Sequence, residues 1–230
     1  MIDVDDRVVM VSGAARGIGR AVTDRLLRAG FRVSAGVRDP QGLVPSDRLM
    51  LHRYDAESLE SAEAWVAATI ARFGALDALA NIAGINTRFA IMDPDETALD
   101  SLWAINVKAP LRLIRFAMPH LAASGHGRVI NVASLSGKRV KNDNAGYAMS
   151  KFALVALNHA VRRAGWESGV RATALCPGFV ATDMTSTAAY PRDRMTNPAD
   201  LALLVESILR LSNTATIAEL LVNCQFEEML

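Results

Sequence analysis

A tyrosine and a lysine one helical turn apart are the residues of this sequence best suited to acid and base chemistry. Tyr147 and Lys151 begin an apolar run with helical periodicity, so both side chains would project from one face of a helix. A nearby ammonium favours the phenolate and should lower a phenol pKa that is about 10 in water. Tyr147 would then exchange protons closer to neutral pH. An aromatic ring packed beneath a solvated charge is the alternative interpretation of the pair alone.

A glycine-rich loop near the start of the sequence predicts a nucleotide site. Residues 7–11 form a β-branched run typical of a strand covered on both faces, and Ser12-Gly13-Ala14-Ala15-Arg16-Gly17-Ile18-Gly19 follows directly. A helical segment at 20–29, stopped by Gly30, and a strand at 31–37 complete a βαβ unit. Such glycines let the backbone approach a pyrophosphate, whose charge the helix N-terminus receives. The spacing differs from the commonest dinucleotide fingerprint, so an ordinary tight turn is the alternative.

The end of the second predicted strand should select the cofactor, because the ribose 2′ position lies beside this junction in dinucleotide-binding folds. Apolar Val37 ends the strand and Arg38 follows it. With Arg16 from the glycine loop, two guanidiniums could bind one 2′-phosphate, which favours NADP (NADPH). Asp39 keeps NAD possible, because a carboxylate could bind a free 2′-hydroxyl. A solvated loop charge is the alternative interpretation of Arg38.

Strands and helices alternate through the rest of the sequence. We predict strands at 49–54, 76–83, 127–133, 171–175 and 217–222, and helices at 57–73, 95–123 and 198–211. Asp55 follows the third strand and either accepts a hydrogen bond from adenine or caps the next helix. Residues 183–198 lack periodicity, and we expect this segment, hereafter the lid, to be mobile. No linker or repeat divides the chain, so we expect one α/β domain over residues 1–230.

Pro110 lies inside the long helix predicted at 95–123. Proline cannot donate to the carbonyl four residues earlier, which belongs to Asn106. That carbonyl would be free to hold a water, whereas a bare packing kink is the alternative. Ser134 stands at the end of the fifth predicted strand, and ligands of open α/β sheets bind outside that edge.

Composition limits the classes of partner. The chain is 51% hydrophobic and 21% charged with a net charge of +1, which gives no electrostatic reason to expect nucleic acid or a membrane surface. We expect small-molecule partners and no metal. Cys176 and Cys224 both lie in apolar runs that read as buried strands, and two cysteines make no disulfide framework. A reducing, cytoplasmic location is therefore expected.

These residues together resemble the classical short-chain dehydrogenase/reductase family over nearly the whole chain. The motifs that carry the resemblance are Gly13-x3-Gly17-x-Gly19, Asp55, Asn81-x-Ala83-Gly84, Asn106, Ser134, Tyr147-x3-Lys151 and Pro177-Gly178. The resemblance implies a single-domain Rossmann fold with a doubly wound parallel sheet of about seven strands. It also implies a cofactor half at about 1–125 and a catalytic half at about 126–230. Two departures are Ile82 in place of a second asparagine and an ending without the family's Val-Asp-Gly-Gly.

The resemblance also assigns roles to residues. It implies a catalytic tetrad of Asn106, Ser134, Tyr147 and Lys151. With the inferences above, the residues expected to bind cofactor are Gly13, Arg16, Gly17, Ile18, Gly19, Arg38, Asp55, Asn81, Ala83, Gly84, Tyr147, Lys151, Pro177, Gly178, Val180 and Thr182.

The activity that follows is reduction of a small ketone or aldehyde with NADPH, or oxidation of the alcohol in reverse. A non-catalytic NADP-binding module that senses redox state or scaffolds partners is the alternative function. The helices bearing Asn106 and Tyr147 are apolar enough to suggest a homodimer or homotetramer. Lys138, Arg139 and Lys141, with two lid arginines, could attract an anionic substrate, or could be plain solvated charges.

Overall fold

Seven parallel strands form one sheet in the computed structural model of the chain, which describes residues 1–227. The strand order is β3-β2-β1-β4-β5-β6-β7, and every neighbouring pair is parallel. This confirms the predicted doubly wound Rossmann fold. The strands are β1 (Val8–Ser12), β2 (Arg32–Val37), β3 (Leu49–Arg53), β4 (Ala78–Asn81), β5 (Arg128–Val132), β6 (Arg171–Pro177) and β7 (Glu219–Val222).

Helices cover both faces of the sheet. They are α1 (Gly17–Ala29), α2 (Leu59–Phe73), α3 (Thr97–Trp103), α4 (Ala109–Ala123), α5 (Ala145–Gly165) and α6 (Pro198–Leu209). One apolar cluster joins the sheet to α1 and α6, and a second joins it to α2 and α4. Strand β1 lies inside the sheet between β2 and β4 and is buried along its whole length, which explains its unbroken apolar sequence.

Glycines end two helices where the sequence predicts. Gly30 follows α1 with φ 101°, and Gly74 follows α2 with φ 77°. Both lie in the left-handed region, where glycine carries no Cβ penalty, and each N–H donates to a carbonyl of the last turn.

The helix predicted at 95–123 is divided. A π-helical turn at Ala104–Lys108 separates α3 from α4, and the N–H of Ala109 donates to the carbonyl of Ala104. Pro110 therefore lies in the first turn of α4, where its missing N–H costs least. Residues 97–123 stay helical as predicted, but the wider turn directly before Pro110 interrupts the regular α-helical hydrogen bonding between α3 and α4.

Two further predictions near the end of the chain need correction. Strand β6 continues through Pro177, which pairs with Val222, instead of ending at residue 175. Cys176 is buried in that strand, but Cys224 lies beyond β7 and is only half-buried. The lid contains two short 3₁₀ turns, Asp183–Thr185 and Arg192–Arg194. Within residues 1–227, no helix is both long and apolar enough to cross a bilayer.

Candidate active site

A cleft of about 820 Å³ opens at the carboxyl ends of β1 and β4. The chain passes from β1 to β2 on one side, while β4 lies on the other, so the cleft is at the topological switch point of the sheet. It is lined by most of the residues expected to bind cofactor: Gly13, Arg16, Gly17, Ile18, Gly19, Arg38, Asp55, Ala83, Gly84 and Thr182.

The glycine loop comes close to other backbone at this edge. Gly13 and Gly17 have φ values of 68° and 55°. A Cβ at Gly13 would lie 3.0 Å from the main chain of Ala83, and one at Gly19 would lie 2.1 Å from the carbonyl oxygen of Gly13. No side chain caps the N-terminus of α1, and its first turn holds no acidic residue. The loop therefore leaves helix N–H groups facing a cleft with room for an anion.

Two arginines lie at the cleft, one in the glycine loop and one directly after β2. Arg16 and Arg38 are both exposed and both line the cleft, together with Asp39. Asp55 also lines it, and its carboxylate accepts a hydrogen bond from the N–H of Glu57 at 3.0 Å. Ser58, not Asp55, is the N-cap of α2. The capping interpretation of Asp55 was therefore wrong, and its side chain remains at the cleft wall.

Asn81 does not reach the cleft. Its side chain is 2% exposed, and its Nδ2 donates to Oδ1 of Asn131 on β5 at 2.9 Å. This residue ties two strands together, because an amide buried at a strand end must find a partner. Its Oδ1 has no hydrogen-bond partner within residues 1–227, and the cofactor contact of Asn81 stays a prediction. Pro177, Gly178 and Val180 likewise do not line the cleft, whereas Thr182 from the same segment does. Tyr147 and Lys151 do not line it either.

Tyr147 and Lys151 lie one turn apart near the start of α5. The Lys151 Nζ is 5.7 Å from the centroid of the Tyr147 ring, so the helix places both groups on one face as predicted. Lys151 is 5% exposed, and its Nζ donates to the carbonyl of Val132 at 3.0 Å. This hydrogen bond fixes the Lys151 ammonium at the end of β5, where it faces the Tyr147 ring.

The predicted effect of the lysine on the tyrosine is not observed. Burial raises the pKa of the half-buried Tyr147 above its usual value of 10.0, and the Ser134 hydroxyl only partly opposes this rise. Burial lowers the pKa of Lys151 from 10.5 to about 8. The expectation that Lys151 lowers the Tyr147 pKa is wrong for the protein alone, because burial has the largest influence and the opposing one comes from Ser134, not from Lys151.

Ser134 lies two residues after the end of β5 and beside the same helix. Its Oγ accepts the N–H of Ser136 at 3.0 Å and caps a 3₁₀ turn, Leu135–Gly137. A Cβ at Gly137 would lie 2.7 Å from the carbonyl oxygen of Lys151. The absence of a side chain there lets the turn pack directly on α5, which brings the serine to the tyrosine.

Asn106 lies in the π-helical turn and is 1% exposed. Its Oδ1 accepts from the N–H of Ile85 at 2.9 Å, and its Nδ2 donates to the Ile85 carbonyl and to Ser150 Oγ, both at 3.0 Å. Ser150 Oγ in turn donates to the carbonyl of Tyr147 at 2.8 Å. Gly84 fits beside this group, since a Cβ there would lie 3.1 Å from Asn106 Oδ1 and 3.6 Å from Lys151 Nζ.

The sequence profile of the short chain dehydrogenase family matches residues 7–192. The chain belongs to this family. Its sequence is 38% identical over 229 residues to an agropine synthesis reductase of Rhizobium rhizogenes, an alignment that covers 96% of this chain and 53% of the relative. This dehydrogenase family member thus spans about half the length of the curated relatives it matches first.

Two further comparisons support the family and the fold. The chain is 32% identical over 191 residues to a 2-(R)-hydroxypropyl-CoM dehydrogenase of Xanthobacter autotrophicus, covering 78% of this chain and 76% of that one. A dehydrogenase/reductase structure from Sinorhizobium meliloti superposes with a TM-score of 0.88 at 27% identity, covering 96% of this chain and 95% of that one.

The cations that follow Ser134 in this short chain dehydrogenase are paired. Arg139 binds the Glu227 carboxylate through two nitrogens at 2.6 and 2.8 Å, and Lys141 joins at 3.2 Å. Lys138 binds Glu219 at 2.6 Å. Carboxylates distant in sequence already pair with these three cations, which weakens the hypothesis that they attract an anionic substrate.

Sequence reasoning also missed residues that support the site. Asn144 and Ser150 both bind the backbone of Tyr147, and Ser12 Oγ accepts from the N–H groups of Ile82 and Ala83 at 3.0 and 3.1 Å. These polar side chains carry no distinctive spacing. The available signal was the position of Asn144 directly before α5, which is typical of an N-cap.

Proposed function

We propose that this chain reduces a small ketone or aldehyde with NADPH, or oxidises the corresponding alcohol in reverse, with Tyr147 as the acid and base. The observation that carries this proposal is the placement of Tyr147, Lys151 and Gly84 around one point. Gly84 lines the cleft and comes within reach of Lys151 Nζ, which itself faces the tyrosine ring. Acid and base groups therefore adjoin the end of a dinucleotide-sized cleft.

The cleft residues fit a dinucleotide. The uncapped N-terminus of α1 and the close-packed glycine loop would hold the pyrophosphate, and Asp55 would bind the adenine. Thr182 would hold the nicotinamide amide, and Lys151 its ribose. A bound nicotinamide dinucleotide would supply or accept the hydride.

The chain's own residues move the proton. Ser134 would donate a hydrogen bond to the substrate carbonyl oxygen, and Tyr147 would deliver the proton as negative charge develops there. The raised pKa keeps Tyr147 protonated at neutral pH, which is the state that a proton donor for reduction requires. We propose that the Asn106 carbonyl holds a water that resupplies the proton through Lys151.

We propose NADP over NAD because two guanidiniums reach the strand tip. Arg16 and Arg38 are exposed at the cleft, and neither takes part in an ion pair within residues 1–227. Both remain available for a phosphate, which guanidinium binds with two parallel hydrogen bonds. Asp39 lies beside them. Its single negative charge would repel the phosphate less than the two guanidiniums would attract it.

The names of the relatives support oxidation and reduction as the reaction class. One carries the name of a reductase and another that of a dehydrogenase. We further propose a homodimer or homotetramer in the cytoplasm. Trp103, Leu111, Met149 and Phe152 on α3, α4 and α5 are 37 to 46% exposed, and covering them would remove apolar surface from water.

The proposal is tested by following NADPH absorbance with a panel of small ketones and aldehydes and, in reverse, NADP with the alcohols. We expect substrate-dependent oxidation of NADPH by at least one carbonyl compound. Tight NADPH binding without turnover across the panel would instead support the non-catalytic sensor or scaffold.

A further inference from the structure

The side chain of Asn144 joins two segments that border the active site. One segment, residues 86–89, continues the wall of the cleft, which Asn86 and Thr87 line. The other, residues 143–147, forms the start of α5 and carries Tyr147. The two segments are more than fifty residues apart in sequence, so only tertiary contacts keep them together.

Asn144 uses its full hydrogen-bonding capacity in this position. Its Oδ1 accepts from the N–H of Phe89 at 3.1 Å and from the N–H of Tyr147 at 3.4 Å. Its Nδ2 donates to Asn86 Oδ1 at 3.0 Å and to the Thr87 carbonyl at 3.3 Å. Only the amide oxygen can accept hydrogen bonds from main-chain N–H groups. These two bonds therefore fix which way the Asn144 amide faces.

The same two segments make three further contacts around Asn144. The N–H of Gly146 donates to the Phe89 carbonyl at 3.1 Å, and Arg88 pairs with Asp143. A Cβ at Gly146 would lie 2.9 Å from that of Phe89, so the backbones approach closely. Asn144 is thus at the centre of a junction and is more than the cap of a helix.

We propose that Asn144 is a positioning residue for the reaction, because it holds the cleft wall at Asn86 and Thr87 in a fixed place relative to the Tyr147 phenol. This inference rests on the proposed function, in which Tyr147 is the proton donor. Proton transfer needs the donor within hydrogen-bond reach of the substrate oxygen. A wall that moves independently of α5 would let substrate and phenol drift apart.

Two substitutions distinguish the helix-capping role of Asn144 from its role in joining the two segments. Asn144→Asp keeps an acceptor for the N–H groups of Phe89 and Tyr147, but it can no longer donate to Asn86 and Thr87. Asn144→Ala removes all four hydrogen bonds. Asn197 is the matched control, because its side chain caps α6 by accepting from the N–H of Ala199 at 2.9 Å. Asn197→Asp introduces the same change of chemistry at a helix N-terminus.

We expect Asn144→Asp to lower kcat by about 10- to 100-fold, the range in which small misplacements of a reacting group fall. The melting temperature should follow that of Asn197→Asp. Hydrogen exchange at the amides of residues 86–89 should accelerate in both Asn144 variants, with or without substrate. NADPH affinity, measured by fluorescence titration, should change less than kcat.

The inference is overturned if Asn144→Asp retains wild-type kcat and wild-type protection of residues 86–89. It is equally overturned if kcat falls only in proportion to the fraction unfolded. Failure of the proposed function gives a different result: the unsubstituted chain itself would show no turnover, whereas the exchange measurement would still report whether Asn144 holds the wall.

Discussion

Replacing Lys151 by methionine should stabilise the protein near neutral pH, because this lysine is a buried cation. Its side chain is 5% exposed, and its hydrogen-bond partner is the neutral carbonyl of Val132. Burial lowers its pKa from 10.5 to about 8. The folded protein therefore holds this proton less tightly than the unfolded chain does.

The sign of the pH dependence follows from the direction of that change. Between pH 8 and pH 10.5 the unfolded chain binds more protons than the folded protein, so stability rises with pH through this window. The free-energy cost of burying the charged lysine is fully present below pH 8 and absent above pH 10.5. At about 1.4 kcal/mol per pKa unit, this cost amounts to roughly 3 kcal/mol.

Urea unfolding of Lys151→Met and wild type at both ends of this window measures the effect, with tryptophan fluorescence as the signal. The change in unfolding free energy caused by the substitution should be more stabilising at pH 7 than at pH 10.5, by roughly 3 kcal/mol. Lys108→Met is the control, because Lys108 is exposed. A Lys151→Met effect that is equal at the two pH values would refute the reasoning, since it would mean that Lys151 keeps its charge at no cost.

Three other predictions address the cofactor loop, cofactor choice and acid stability. Gly13→Ala should weaken NADPH binding by about tenfold and destabilise more than Gly125→Ala. Both glycines have φ 68°, but only at position 13 would the Cβ meet other atoms within 4 Å. Equal losses of NADPH affinity, by calorimetric titration, and of melting temperature in the two variants would contradict this prediction. Arg38→Ser should raise the KM for NADPH by about 10- to 100-fold and leave the KM for NADH unchanged. An equal rise in both KM values would show that Arg38 does not bind the 2′-phosphate. Glu227→Gln should lose stability relative to wild type at neutral pH, because hydrogen bonding to Arg139 holds the pKa of this carboxyl at about 2. That advantage is present above pH 4.5 and lost as pH falls toward 2; a difference in melting temperature that does not shrink over this range would oppose it.

The order of the elements and the position of the cleft could be predicted because they depend on local patterns. Strand β1 is followed by the glycine loop and α1, and the parallel strands bring their carboxyl ends to one edge. Gly30 and Gly74 mark helix ends through a backbone conformation that glycine favours. Such signals act within a few residues and are visible in the sequence.

The features that sequence reasoning missed depend on partners far along the chain. Asn81 faces Asn131, and Arg139 faces Glu227, across 50 and 88 residues respectively. The Tyr147 pKa was predicted from its neighbour alone, whereas burial decides its direction. Asn144 precedes α5 as an N-cap does, but its bonds to residues 86–89 reach a distant part of the chain. Burial and pairing are properties of the folded chain, so a pattern of residue types does not contain them.

Tyr147→Phe tests the central claim most directly, because it removes one hydroxyl and leaves the ring in place. NADPH binding should stay within about twofold of wild type, while kcat for the best carbonyl substrate should fall by about two to four orders of magnitude. Binding and turnover are measured on the same preparation, by fluorescence titration and by NADPH absorbance. Undiminished turnover in this variant would contradict the assignment of Tyr147 as the proton donor.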